Sequence, residues 1–283
     1  MKLIAWDTSS KTGALAALEW DEPQDIQYQA NHRFDLSRVN LVAEFTLNVD
    51  ATHSEQLLWG IHQTLQAARW GLKDIDVFGV GVGPGSFTGL RIGVTTARTL
   101  AHICKKPLVG ISSLAALARP VSLHFGEKVR CLETQTVVVA VTDACQGEVF
   151  ALWGYAPDVA RCCTWTKKGC TWSLKVQEQV IQPEALVDGV KKKFFGSQKK
   201  TRWVLIGEGG QRYLEVWGKL PQLKRQSYEV PLSCLIQGRS VGILAWQAYQ
   251  GGLSPEALDV YPRYLRASNA ELKRKEVLWN RLS

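Results

Sequence analysis

A chain of 283 residues with 46% apolar residues is long enough for one large or two modest domains and apolar enough to bury their cores. No apolar run approaches the roughly 18 residues of a membrane span, and the opening Met1–Asp7 meets an aspartate at once, so it reads as a first strand and not as a signal peptide. The formal net charge of +8 is concentrated in two places: Lys191–Arg202 holds six basic residues and no acidic one, and Arg263–Arg281 holds six against Glu271 and Glu276.

Two readings of these basic segments stay open: an attraction for nucleic acid, or a solvated loop and tail. The seven cysteines are odd in number and form no C-x-x-C pair, which points to free thiols in a reducing cytoplasm. The Cys162, Cys163 and Cys170 group has no histidine near it to complete a metal site.

Lys2–Asp7 predicts a strand and Gly13–Leu18 its hairpin partner, with the turn residues Asp7–Gly13 between. In the long segment from Asp21 to Asn48, Ile26–Ala30 and Leu41–Leu47 are further strand candidates. A helix is predicted from His53 to about Trp70. Its Leu57, Ile61, Leu65 and Ala68 repeat at core-facing spacing. Trp59, His62, Gln66 and Trp70 form a second stripe on that helix. They pack under the Asp21–Asn48 segment or they meet a partner helix, since aromatic residues anchor interfaces.

The apolar run Val77–Val82 predicts a buried strand. It leads through Gly83-Pro-Gly-Ser-Phe-Thr-Gly-Leu-Arg-Ile-Gly93 into a helix. A strand, a glycine-rich turn and a helix can aim backbone N–H groups at an anion, yet no Gly-Lys-Ser/Thr closes this loop and its glycines do not open on G-x-G-x-x-G. Gly83, Gly85, Ser86, Thr88, Gly89 and Arg91 are read as the turn that launches the helix. Gly93, Ala97 and Ala101 then form a ridge of small residues that lets another helix approach.

Pro107–Gly110 predicts a strand and Ser112–Leu117 a capped helix. Val137–Val141 and Gly147–Trp153 repeat the opening pattern of strand, Asp-containing turn and strand, with Asp143 in the turn, which suggests a duplicated α/β architecture. Thr164–Gln179 predicts sheet, Pro183–Lys193 a helix, Trp203–Ile206 a strand and Gly238–Tyr249 a helix. Pro262–Arg266 begins the basic tail.

His32, His53, His62, His102 and His124 show no H-x-x-x-H spacing for a shared metal. Ser86 does not lie in a G-x-S-x-G nucleophile elbow. An ATP and magnesium cleft is conceivable at Asp7, Thr8 and Asp143, but Ser9-Ser10-Lys11 and Ala144-Cys145-Gln146 are thin in glycine where a backbone must approach phosphate.

Read together in order, Asp7-Thr8-Ser9, His53-Ser54-Glu55, Val80–Gly93, Pro107–Ala116, Gly147-Glu148-Val149-Phe150 and Pro262–Arg266 resemble the TsaB family. The resemblance is close over 1–20 and 53–118 and patchy after 155. It implies an α/β, two-lobed actin-like ATPase fold in which each lobe is a mixed sheet with flanking helices, here 1–110 and 111–283. It also implies an accessory subunit, without a reaction of its own, of the machinery that places threonylcarbamoyl on the adenosine beside the tRNA anticodon. Such a subunit binds the paralogue TsaD through first-lobe helices, here with Trp59, His62, Gln66, Trp70, Gly93, Ala97 and Ala101, and recruits TsaE. A homodimer through the same helices is expected where TsaD is absent, and no membrane partner. Asp7, Thr8 and Asp143 become candidates for a vestigial nucleotide site. No cofactor is expected on the chain alone, with ATP and magnesium conceivable at the shared interface. Lys191, Lys192, Lys193, Lys199 and Lys200 are candidates for contact with tRNA. A stand-alone ATPase or phosphotransferase of the same fold is the alternative. The longer 21–48 segment, the Cys- and Trp-rich second half and the 191–202 loop depart from the family pattern.

Overall fold

The computed structural model describes residues 1–21, 38–48, 53–127, 134–160, 165–166, 169–170, 176–194, 200–218, 235–253 and 256–266. The first lobe is built on the uninterrupted apolar runs at the start of the chain. Leu3, Ile4, Ala5 and Trp6 are all buried, so β1 (Lys2–Asp7) is covered on both faces and occupies a sheet centre. It pairs antiparallel with β2 (Thr12–Trp20), which pairs antiparallel with β3 (Val39–Asn48). On its other side it runs parallel to β4 (Val77–Gly83), which runs parallel to β5 (Leu108–Ser112). The order is β3-β2-β1-β4-β5. Leu41–Leu47 thus lies in β3, whereas Ile26–Ala30 lies outside the described residues.

The parallel pairings need crossovers, supplied by α1 (His53–Ala68) and α2 (Phe87–Cys104). Both cover the outer face of this sheet. Leu57, Ile61, Leu65, Val94, Ala97 and Ala101 share one buried cluster there with Ile4, Trp6 and Leu15.

The second sheet repeats the plan. β6 (Thr134–Asp143) pairs antiparallel with β7 (Val149–Tyr155), β7 antiparallel with β10 (Gln177–Ile181), and β6 parallel with β11 (Lys200–Ile206). Its order, β10-β7-β6-β11, matches β3-β2-β1-β4 strand for strand and direction for direction. A short helix α4 (Ala156–Ala160) and the small pair β8 (Trp165–Thr166) and β9 (Gly169–Cys170) precede β10. The helix α5 (Pro183–Phe194) joins β10 to β11, and the short α6 (Glu208–Arg212) and α7 (Leu214–Trp217) follow β11. Leu186, Val187, Val190 and Trp217 close the core on its outer face. Two sheets of the same order with flanking helices make the two-lobed, α/β actin-like fold.

Between the sheets lie α3 (Ser113–Glu127) and α8 (Gly238–Gln250). α8 belongs to the first lobe: it lies on β1, β2 and β4, and its Val241, Leu244 and Ala245 share one cluster with Leu3, Ala5 and Leu18. A division into 1–110 and 111–283 is therefore corrected. The second sheet is drawn from 134–206, and the chain then returns to the first lobe, where α8 covers the inner face of the first sheet. The basic loop is corrected too. Lys191–Lys193 end α5 and Lys200 and Arg202 lie in β11, which leaves only 195–199 outside the described residues.

Candidate functional site

The two strand–turn–strand units face each other across a cleft of about 500 Å³, lined among others by Ser10, Lys11, Ser86, Phe87, Asp143 and Arg266. In the first lobe Asp7 ends β1 and is fully buried. One carboxylate oxygen accepts the Ser9 backbone N–H at 2.7 Å and the Ser9 hydroxyl at 2.6 Å; the other accepts the Ser113 hydroxyl at 2.5 Å. A carboxylate held by this many donors is committed to tying its own turn to α3. Thr8 donates its hydroxyl to the Gly89 carbonyl at 2.7 Å, and Ser86 donates its N–H to the Ser9 carbonyl at 2.6 Å.

The glycine-rich turn and the Asp7 turn thus bind each other. Gly89 is required for this: a Cβ there would lie 2.0 Å from the Thr8 carbonyl oxygen. Ser86 caps α2 by accepting the Gly89 N–H at 3.3 Å, while Thr88 and Arg91 are exposed on the first turn. Three N–H groups of this turn, those of Gly83, Ser86 and Gly89, are engaged within the lobe and are not free to meet an anion.

In the second lobe Asp143 accepts the Cys145 N–H at 3.1 Å, pairs with the Arg212 guanidinium and receives the Tyr213 hydroxyl at 3.4 Å. Burial first, and then the Asp143 carboxylate, push the Tyr213 phenol above its ordinary range. Both aspartates that could hold a metal-linked nucleotide are thus occupied by protein donors. Among the described residues no group of three His, Cys, Asp or Glu side chains is placed to hold a metal ion.

A second candidate site is the outward face of α1 and α2. Trp59 is 54% exposed and Leu58 56%, with His62 and Gln66 exposed on the same helix. Ile103, at the end of α2, is 69% exposed. Of the predicted stripe, Trp70 is a correction. The helix stops at Ala68, Arg69 turns left-handed at φ 57°, and the Trp70 N–H returns to the Leu65 carbonyl at 2.9 Å. The indole is then buried, with the Lys2 ammonium 5.2 Å from its ring.

The ridge Gly93, Ala97 and Ala101 is a second correction, since all three are buried against the lobe's own sheet. The Trp6 indole donates to the Gly93 carbonyl at 3.1 Å, and a Cβ on Gly93 would lie 2.1 Å from the Thr8 hydroxyl oxygen. Small residues are needed here for the helix to approach β1, so they are closed to a partner. The open face of α2 carries Arg91, Thr95, Thr99 and Ile103.

Leu58 and Ile103 were missed in the sequence. Their only signal is an apolar residue outside the core-facing period of its helix. Lys192 is exposed near the end of α5. The side chains of Lys191, Lys193 and Lys200, and all of Lys199, lie outside the described residues.

Known proteins bear on this geometry. TsaB of Haemophilus influenzae, a tRNA threonylcarbamoyladenosine biosynthesis protein, is 30% identical over 191 residues, 66% of this chain and 67% of that protein. This chain belongs to the TsaB family. The protein of the same description from Escherichia coli is 28% identical over 215 residues, 76% of this chain and 80% of that one. The family model described as TsaD, tRNA N6-adenosine threonylcarbamoyltransferase, matches residues 41–156. Among solved structures, YeaZ from Pseudomonas aeruginosa superposes with a TM-score of 0.61 at 22% identity, covering 93% of this chain and 99% of that one, which agrees in fold. No helix among the described residues is long and apolar enough to cross a membrane.

Proposed function

We propose that this TsaB-family chain serves the formation of threonylcarbamoyladenosine in tRNA as an accessory subunit, offering the outward face of α1 and α2 to a TsaD partner. The exposed Leu58 and Trp59 on α1 and Ile103 at the end of α2 carry this reading: large apolar side chains left open on neighbouring helices invite cover. The TsaD-like portion, 41–156, contains both helices. Equivalent helices on two similar chains can pair about a pseudo-twofold axis, each presenting like to like. TsaE joins this pair, ATP and magnesium bind at the shared interface, and a homodimer through the same face forms when TsaD is lacking. Lys191, Lys192, Lys193, Lys199 and Lys200 help the assembled complex hold tRNA.

Chemistry is assigned to the partner because the cleft's aspartates and turns are engaged in holding the fold. Trp59→Arg tests the reading. A folded variant that no longer copurifies with TsaD, and no longer supports threonylcarbamoyl transfer, is expected. A folded variant that still copurifies overturns the assigned face.

A second reading, an independent ATPase, is favoured by the interlobe cleft itself, whose volume of about 500 Å³ is large enough for a nucleotide. Calorimetry of the lone chain with ATP and magnesium decides between the two. Micromolar binding supports the ATPase, and its absence supports the accessory subunit.

A further inference from the structure

We infer that residues 257–266 are an interlobe latch, with Arg263 and Arg266 its two bolts. The segment is first anchored on the outside of the first lobe. Ala257 and Val260 are buried in the cluster beneath α1 and α2. Arg98 donates to the Leu258 carbonyl at 3.1 Å and lies 4.7 Å from the Tyr261 ring. Tyr264 stacks on Phe87 with ring centres 4.5 Å apart and accepts from the Arg91 guanidinium at 3.2 Å. The Arg263 N–H bonds the Val82 carbonyl at 2.7 Å, at the end of β4.

From this footing the segment reaches across the cleft. The Arg263 guanidinium pairs with Glu178 of β10, whose side chain is 1% exposed. Glu178 also accepts the Ser112 hydroxyl from β5 at 2.7 Å, so one buried carboxylate ties the second sheet to both the first sheet and the segment. Arg266 donates to the carbonyls of Ala144 and Cys145 and to the Gln146 side chain, and its guanidinium lies 3.3 Å from the Glu148 carboxylate. A planar guanidinium with five donors suits such a grip on several oxygens of one turn, where an ammonium would hold one.

Both arginines look on sequence like the start of a basic tail, but they are spent inside the molecule, with side chains only 16% and 13% exposed. They join lobes whose two turns otherwise face each other across open space. The latch fixes the angle between the lobes and holds the cleft at one width. Its footing on α2 borders the face offered to TsaD, while its grip on Glu178 and on the 144–146 turn lies at the cleft.

The test compares the full chain with Arg266→Gln, with the pair Arg263→Gln and Glu178→Gln, and with all three changes. The paired change removes both members of the buried ion pair, so no charge is left stranded. A donor and acceptor fluorophore, installed through non-canonical residues at the exposed Thr88 and Glu215, read the separation of the lobes. Hydrogen exchange reads each lobe by itself. In the triple variant the transfer efficiency should fall and its distribution broaden. Exchange at 9–11 and 144–148 should quicken about tenfold, a loss of about 1.4 kcal/mol of local protection. β1 and β6 should keep their protection. An unchanged interlobe distance overturns the latch, and so does a loss of protection spread evenly through both sheets, which would make the arginines general supports of the fold.

Discussion

Gly89 and Asp7 hold the two first-lobe turns together, and each can be tested alone. Gly89→Ala places a methyl group 2.0 Å from the Thr8 carbonyl oxygen, and backbone cannot yield as a flexible side chain would. The expected cost is about 1–3 kcal/mol, read as a lower midpoint in urea with an unchanged slope. A variant as stable as the parent would show that the turns can part freely. Asp7→Asn keeps the shape but turns an acceptor into a donor in front of the Ser9 or Ser113 hydroxyl. It should cost about 1–3 kcal/mol of stability while leaving TsaD binding intact. If it left stability unchanged but abolished the binding of a nucleotide, Asp7 would be a ligand and not a structural tie. The sequence showed that this glycine word was special but not why, because the neighbour that requires it, the Thr8 carbonyl, lies 81 residues earlier in the chain.

At the scale of elements, the strands and helices of the first lobe were legible because their signals are local: continuous apolar runs for β1 and β4, and a 3.6-residue period for α1. What each helix turns outward was less so. The ridge Gly93, Ala97, Ala101 is a packing face, and only burial against Trp6 and Thr8 reveals which partner it serves. Trp70 fits a helical stripe on paper, yet the left-handed turn at Arg69 takes it out of the helix and into the core. These placements separate two substitutions that the sequence treats alike. Trp59→Arg changes an exposed side chain, so its effect on melting temperature should be small, within about 0.5 kcal/mol, while copurification with TsaD is lost. Ala97→Arg forces a long cation into a fully buried site. It should fail to fold, seen as lost near-ultraviolet circular dichroism, before any question of a partner arises. A well-folded Ala97→Arg protein would mean that α2 can lift from its sheet.

At the scale of the molecule, the last described α-helix, α8, completes the first lobe from the far end of the chain. No local signal could place α8, because its apolar face fits either sheet equally well as a pattern; only the fold shows it on β1, β2 and β4. Its buried Val241, Leu244 and Trp246, at about 1.5–3 kcal/mol each, together rival the about 5–15 kcal/mol that keeps a domain folded. The indole of Trp246 also meets that of Trp20, with ring centres 5.3 Å apart, on the inner side of β2. A chain ended after Gly218 keeps every strand of both sheets but loses this layer, together with the 257–266 segment that packs under α1 and α2. The expected result is asymmetric. Hydrogen exchange should show β1, β2 and β4 unprotected while β6, β7 and β11 stay protected, since the second sheet's outer layer of α5 and α7 is intact. Adding a peptide of residues 235–266 should restore protection to the first sheet. If the shortened chain instead keeps its first sheet, α1 and α2 suffice as cover and α8 is an accessory. If both sheets melt together, the lobes form one cooperative unit, joined through the layer of α3 and α8 that lies between them.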